Sequence, residues 1–330
     1  MHAVIPPDAA PAMPEAVVGL AERALTRWSA MAEASARLIN SAENLTFLAE
    51  TADGARAVLR LHRQGYHELD AIRSELSWSA ALGASGTVQT PAALPGDDGD
   101  LVQVVEGRFF VLFEFVEGTE PAPDDDLAAS FHDLGQIAAR THLHSIGWTR
   151  PAGFTRMSWD LDAVFGADPI WGHWREGPNV DAAEAAVLSR AEAAVQDRLR
   201  EYGQVSARYG LIHADMRLAN LLIDQGQTRL IDFDDCGFGW FLYDFAAAIS
   251  FMETHRQVPA LKAAWLDGYQ AIRPLSPDDL EEVDSFIMLR RLALLGWIGS
   301  RIEATEPQAL APHFAAGTAE LAEAWLASGC

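Results

Sequence analysis

Apolar positions change their period part-way along the chain. Over residues 14–30, Val17, Leu20, Ala24 and Trp28 recur at helical spacing, with Pro14 at the start where its missing N–H costs nothing. A polar break follows at Asn40-Ser41-Ala42-Glu43-Asn44. Residues 45–50 and 56–62 then read as strands, with Ala52-Asp53-Gly54 as the hairpin turn between them. The spacing of Leu69, Ile72, Leu76 and Ala80 predicts a helix over 66–82, stopped by Gly83. A Pro/Gly/Asp-rich loop at 91–100 leads into a strand at 101–105, and Glu106-Gly107 turns it into another at 108–116. The order predicts a small, mostly antiparallel sheet with a helix against it.

Residues 117–126 (EGTEPAPDDD) have linker composition. Beyond them the helical period dominates. Leu127, Phe131, Leu134, Ala138 and Thr141 form one stripe, and Leu188, Ala191, Val195 and Leu199 another. Ser276-Pro277 is a helix cap and first-turn pair before an apolar helix running to about Trp297, and Phe314, Thr318, Leu321 and Trp325 form a last stripe. One β-rich island, residues 211–233, interrupts this half.

At 330 residues the chain is long for a single core and comfortable for two. Its 49% hydrophobic and 22% charged content excludes disorder as the main state. With 24 basic and 47 acidic residues, net −23, it lacks the basic field of a nucleic-acid binder. No apolar run approaches the length of a membrane span, and MHAVIPPDAAPAMPE lacks the basic and apolar regions of a signal peptide, so a cytoplasmic protein is expected. Cys236 and Cys330 are too few for a disulfide framework and lack matching His partners for zinc. Cys236 reads as a buried filler.

The candidate chemistry lies in GLIHADMRLANLLIDQGQTRLIDFDD. Residues 221–223 and 228–231 predict a hairpin with a four-residue loop, Asp224 to Gln227. Asn220 enters the first strand and Asp232 leaves the second, so both belong at its open end, beside the loop carrying His213 and Asp215. Asp215, Asn220 and Asp232 would then share one patch of oxygen ligands, which suits Mg²⁺ shared with phosphates.

His-Ala-Asp, an Asn five residues after that Asp, and Ile-Asp-Phe-Asp-Asp resemble the catalytic loop and metal segment of kinase-fold phosphotransferases. The match resembles most closely the aminoglycoside phosphotransferase / choline kinase superfamily. The wider pattern is similar to its stress-response kinase, type II homoserine kinase and hydroxylysine kinase branches. The likeness runs from about Asn40 to Trp297 and is strongest over 211–247. It implies a two-lobed, protein-kinase-like α+β fold. A small antiparallel-sheet N-lobe would span 1–116, including the first helix, and a larger, mainly helical C-lobe 117–330.

The same resemblance implies transfer of the γ-phosphoryl group of ATP, with Mg²⁺, to a hydroxyl of a small metabolite or antibiotic: a hydroxy amino acid, amino alcohol or aminoglycoside. Ser/Thr protein phosphorylation and nucleotide binding without transfer are the alternatives. The short stretch between Asp232 and Asp244 has no recognisable activation loop, which favours a small acceptor. By resemblance, Asp215 is the base for the acceptor hydroxyl, and Asn220 and Asp232 are the metal ligands. Arg60 stands where the family usually has a phosphate-binding Lys, a change to a planar fork, and Glu75 is its ion-pair partner. Ser41 and Asn44 lie in the phosphate-covering loop, which has no glycine. Glu114 and Val116 lie in the hinge whose backbone meets adenine. Asp244 braces the catalytic loop and His213 holds it structurally.

Bland readings stand beside several of these. Arg60–Glu75 could be a surface pair worth about 0–1 kcal/mol. Asp234, where protein kinases have glycine, and Asp235 could face a second cation or a cationic substrate group, or simply solvent. Trp265, Trp297 and Trp325 sit on apolar helix faces, where core packing is the better reading than a cation cage.

Overall fold

A computed structural model describes residues 15–41 and 44–329. Pro14 of the first expected helix, the segment before it, Ala42-Glu43 of the covering loop and Cys330 lie outside the described residues.

In chain order the elements are α1 (Glu15–Leu25), β1 (Ser35–Ser41), β2 (Leu45–Glu50), β3 (Arg56–Leu61), α2 (Leu69–Ala84), β4 (Ala93–Leu94), β5 (Val102–Val105) and β6 (Arg108–Glu114). Then come α3 (Ala128–Gly147), β7 (Ser158–Trp159), α4 (Leu161–Phe165), α5 (Ala182–Tyr202), β8 (Tyr209–Ile212), β9 (Leu221–Asp224) and β10 (Gln227–Leu230). The chain finishes with β11 (Gly237–Trp240), α6 (Tyr243–Ala248), α7 (Val258–Gln270), α8 (Pro277–Ser300) and α9 (Thr305–Ala327). No helix among the described residues is long and apolar enough to cross a membrane. The class is α+β, as the sequence pattern predicts.

The chain forms two compact units. One takes the chain up to Glu120 with Arg150–Arg156 and Leu221–Asp234; the other takes Pro121–Thr149, Met157–Asn220 and Asp235 onward. In the first unit the strands run in the order β1-β2-β3-β6-β4, with β5 on β6, and every pairing is antiparallel. One sheet face packs with α1 through Ala21, Ala24, Leu25, Phe47, Leu59 and Leu112. The other meets α2 through Ile72, Leu76, Val102 and Val111. Burying each of the larger of these side chains contributes roughly 1.5–3 kcal/mol.

Three expectations need correction here. The sheet starts at β1, not at residue 45: only Ala36 and Leu38 of SARLINS are buried, so the strand carries little apolar signal. Helix α2 runs through Gly83, whose missing Cβ would meet nothing closer than Thr90 at 4.0 Å. The left-handed residue that ends the turn is Gly86, at φ +67°. The β9–β10 hairpin pairs Asp224 with Gln227, so its loop has two residues rather than four. Gln225 and Gly226 both have positive φ (49° and 75°), the geometry of a tight hairpin turn.

In the second unit the expected stripes are buried on α3, α5, α8 and α9, apart from Leu321, which is half-buried. Ser276 caps α8 in a reciprocal box with Asp279. Trp265, Trp297 and Trp325 are core residues, and Cys236 is fully buried. The island at 211–233 is not alone: β11 pairs in parallel with β7 and antiparallel with β8. Its sequence, Gly-Phe-Gly-Trp, hides the strand. Glycine is required because a Cβ on Gly237 would lie 2.5 Å from the Met157 carbonyl oxygen.

Candidate active site

The sequence-predicted residues fall into two clusters, one in each unit. In the first unit, β3 presents Arg60 on its buried face. Its Nη1 donates to Glu75 Oε1 of α2 at 2.7 Å and its Nη2 to Asp232 Oδ1 at 2.9 Å. The Arg60 and Glu75 side chains are 8% and 2% exposed, so the surface-pair reading does not hold. Burial opposes the Arg60 charge, but Glu75, Asp232 and Asp234 together raise its pKa above the ordinary value. Asp232 follows β10 with φ +63°, and its Oδ1 also accepts the backbone N–H of Asp234 at 3.3 Å.

Asp234 is buried, which removes the solvent-facing alternative, and Asp235 is buried as well. Asp234 lies 3.4 Å from His62 Nδ1 and 3.6 Å from His67 Nε2. Burial alone would raise its pKa; the two imidazoles outweigh that and hold it well below the carboxylate range. Neither histidine was singled out from the sequence. The signal was there: His62 lies two residues beyond Arg60, on the same strand face. Arg156 was also missed. It holds the Ala71 carbonyl of α2 at 3.0 Å and donates to the Asp234 carbonyl.

Ser41 ends β1 and is exposed. Asn44 is buried, and its Oδ1 accepts the Arg63 N–H at 3.0 Å, tying the start of β2 to the end of β3. Glu114 is the exposed last residue of β6, with its backbone N–H on the Ala92 carbonyl at 2.9 Å; Val116 is half-buried just beyond. The remainder of the expected covering loop, Ala42-Glu43, lies outside the described residues.

In the second unit the loop after β8 carries Asp215. Asn220 donates from Nδ2 to the Asp215 carbonyl at 2.8 Å and to its Oδ2 at 2.7 Å. That fixes the amide orientation and turns its oxygen away from the carboxylate. Arg290 of α8 donates to Asp215 Oδ1 at 2.6 Å, and Arg217 Nε lies 3.4 Å from Oδ2. Arg217 also pairs with Glu306 of α9 at 2.9 Å.

Below the loop, Asp244 accepts the backbone N–H of His213 at 3.2 Å and of Ala214 at 2.7 Å. His213 Nδ1 in turn accepts the Asp215 N–H at 3.2 Å. His142 of α3 lies 2.9 Å from Asp244 Oδ2 through Nε2 and 2.9 Å from the Tyr269 hydroxyl through Nδ1. Arg273 donates to that hydroxyl at 3.0 Å, so Tyr269 donates to Nδ1 and His142 donates to Asp244 from Nε2. Burial lowers the His142 pKa more than Asp244 raises it, so the ring is neutral.

His142, Arg217, Arg290 and Glu306 were missed from the sequence. The visible clue was Arg290-Arg291 in the middle of an apolar helix, because buried arginines must be paired. Arg291 answers the same demand with Glu253.

Residues 35–275 match the phosphotransferase enzyme family. This chain belongs to that family. A solved structure of a microcompartment-associated aminopropanol kinase is 44% identical, covers 94% of this chain and 98% of its own, and superposes with a TM-score of 0.88. Amicoumacin kinase of Bacillus subtilis (strain 168) is 25% identical over 81% of this chain and 83% of its own length. Homoserine kinase of Neisseria meningitidis serogroup B (strain ATCC BAA-335 / MC58) is 28% identical over 67% and 69%. Family membership makes the chain a kinase or phosphotransferase acting on small molecules. The kinase-like architecture and the superfamily expected from His-Ala-Asp and Ile-Asp-Phe-Asp-Asp are borne out.

Proposed function

We propose that the protein transfers the γ-phosphoryl group of ATP, with Mg²⁺, to the hydroxyl of a small amino alcohol of the aminopropanol class. The observation that carries this reading is the Asp215 carboxylate, held on one oxygen by Arg290 and on the other by Asn220. A carboxylate fixed on both sides, with 15% of its side chain still exposed, suits a base that orients and deprotonates a hydroxyl. The aminopropanol kinase likeness supports the acceptor class over the hydroxy amino acids and aminoglycosides also expected.

Each of the two expected metal ligands offers a hard oxygen donor. Asn220 offers an amide oxygen, and Asp232 offers a carboxylate that is 35% exposed. Mg²⁺, when bound, would supply charge neutralisation for phosphate oxygens. Arg60, locked by Glu75, steadies the non-transferred phosphates. The hinge backbone at Glu114 and Val116 receives adenine, and Ser41 and Asn44 border the phosphates. Asp244, with His213, braces the loop under Asp215. Asp235 is the candidate contact for an acceptor ammonium. Catalysis is then positioning and electrostatics with little covalent chemistry from the protein.

The test is ADP release from Mg-ATP over a panel of amino alcohols, hydroxy amino acids, aminoglycosides and a generic protein acceptor. Turnover is expected with amino alcohols and lost by orders of magnitude in Asp215→Ala. Activity confined to the protein acceptor, or retained by purified Asp215→Ala, would refute the reading.

A further inference from the structure

Arg290 sits mid-way along α8 and is 1% exposed. Each nitrogen of its guanidinium has a partner. Nη2 donates to Asp215 Oδ1 at 2.6 Å, Nη1 to the Ala214 carbonyl at 3.0 Å, and Nε to the Ser250 hydroxyl at 3.0 Å. Its plane lies over the Trp171 ring at 4.8 Å and near the Tyr243 ring at 5.6 Å. A long side chain gripped on its edge and its face has almost no rotamer freedom left. It is therefore a rigid arm reaching from α8 to one oxygen of Asp215.

The other oxygen belongs to a different set of partners. Asn220 donates to Oδ2 at 2.7 Å, with Arg217 at 3.4 Å. The carboxylate plane is thus defined by one group from α8 and two from its own loop. Arg290 also holds the carbonyl of the preceding residue, so it sets the backbone and the side chain together. Ala214 is left-handed, at φ +65°, and a loop in that state needs such external ties.

We infer that Arg290 is a positioning residue for phosphoryl transfer: it fixes the plane of the Asp215 carboxylate against its loop partners Asn220 and Arg217. This rests on the proposed role of Asp215. Arg290 acts through that carboxylate, so its loss belongs in turnover rather than in nucleotide or acceptor binding. A misplacement near 1 Å at a reacting group costs about 100-fold in rate.

The experiment is single-turnover and steady-state phosphoryl transfer for wild type, Arg290→Met, Arg290→Lys, Asp215→Asn and the Arg290→Met/Asp215→Asn double variant. Mg-ATP binding by calorimetry and near-UV circular dichroism are recorded on each. Expected for Arg290→Met is a kcat drop of about 100-fold with both KM values within about twofold of wild type. Arg290→Lys, a point charge in place of the fork, should recover about a tenth of wild-type kcat. In the Asp215→Asn background the second change should add no further loss.

If Arg290→Met does not fold, Arg290→Lys decides: wild-type kcat in that variant overturns the inference. So does a folded Arg290→Met with normal kcat, an effect confined to KM, or full additivity with Asp215→Asn. Normal turnover in Asp215→Asn would instead remove the proposed function itself.

Discussion

Helices α3 and α7 touch at two glycines, and replacing either one sets two known effects against each other. A Cβ on Gly268 would lie 2.0 Å from the His132 carbonyl oxygen, and one on Gly135 would lie 2.1 Å from the Trp265 carbonyl oxygen. Both obstacles are backbone, so no side chain can swing aside. Relief requires the helices to part by roughly 1 Å, and overpacking of this kind costs about 1–3 kcal/mol. Rigid backbone on both sides places these sites at the upper end. Alanine is also the better helix former, by about 1 kcal/mol. The steric effect wins, and Gly268→Ala should lose about 2 kcal/mol, or about 4–8 °C in melting temperature for a unit of this size. Function should follow, because α3 carries His142 and α7 carries Tyr269, whose 2.9 Å contact supports Asp244. Urea and thermal unfolding give the first readout and kcat the second. Gly135→Ala should behave alike, and the pair should be less than additive, since one parting of the helices relieves both clashes. An alanine variant as stable as wild type, or more so, would refute the close-approach argument and leave propensity as the winner.

Three further outcomes are expected. Glu75→Gln breaks a buried ion pair, a change that costs about 3–5 kcal/mol when the partner is left alone. Arg60 still has Asp232 at 2.9 Å, so a loss near the lower figure is expected, together with weaker Mg-ATP binding by calorimetry. For His142 the folded pKa lies below 6.5, so the unfolded state binds the proton first. Its contribution is therefore complete above about pH 6.5 and is lost as pH falls through the window beneath it; stability measured in urea from pH 7.5 to 5 should decline, and more shallowly in His142→Gln. Ser276→Ala removes the reciprocal cap of α8 and should cost about 1 kcal/mol in the same assay.

Local signals made the class and most elements legible. The α8 start was written in Ser276-Pro277, and the β5–β6 turn in Glu106-Gly107, where both residues take positive φ (51° and 73°). What stayed hidden was specified by distant partners. Strand β1 has one weakly apolar face and is defined by its pairing with β2. Strand β11 is half glycine because Met157 and Ile212 press against it, and glycine reads as loop when its neighbours are unknown. At the site, His-Ala-Asp and Ile-Asp-Phe-Asp-Asp fixed which residues to examine, through resemblance and spacing. The sequence-distant members, Arg290, His142 and Glu306, were beyond that reach, since their roles come from α8, α3 and α9 packing on one loop. Asp234 shows the intermediate case: its two readings could be separated only once His62 and His67 were seen to enclose it.

The two candidate loops solve one physical problem in two ways. Ala214 and Asp232 both sit in the left-handed region without being glycine, at φ +65° and +63°. For an alanine that conformation costs roughly 1–2 kcal/mol. At Ala214 the cost is offset from below, where Asp244 accepts its N–H and that of His213, each charge-assisted bond contributing about 1.5–3 kcal/mol. At Asp232 the residue supplies its own support, its carboxylate accepting the Asp234 N–H and the Arg60 guanidinium. In each case the unusual backbone comes next to, or at, the carboxylate with the proposed role. Each is held by bonds to charged groups. Strain held in place by buried charge is expected where geometry matters more than stability. Asp244→Asn should therefore damage turnover more than it lowers the melting temperature. The amide still fills the space but can accept on one atom only, whereas the carboxylate accepts on two. Equal fractional losses in both measurements would mean the loop is merely part of the core.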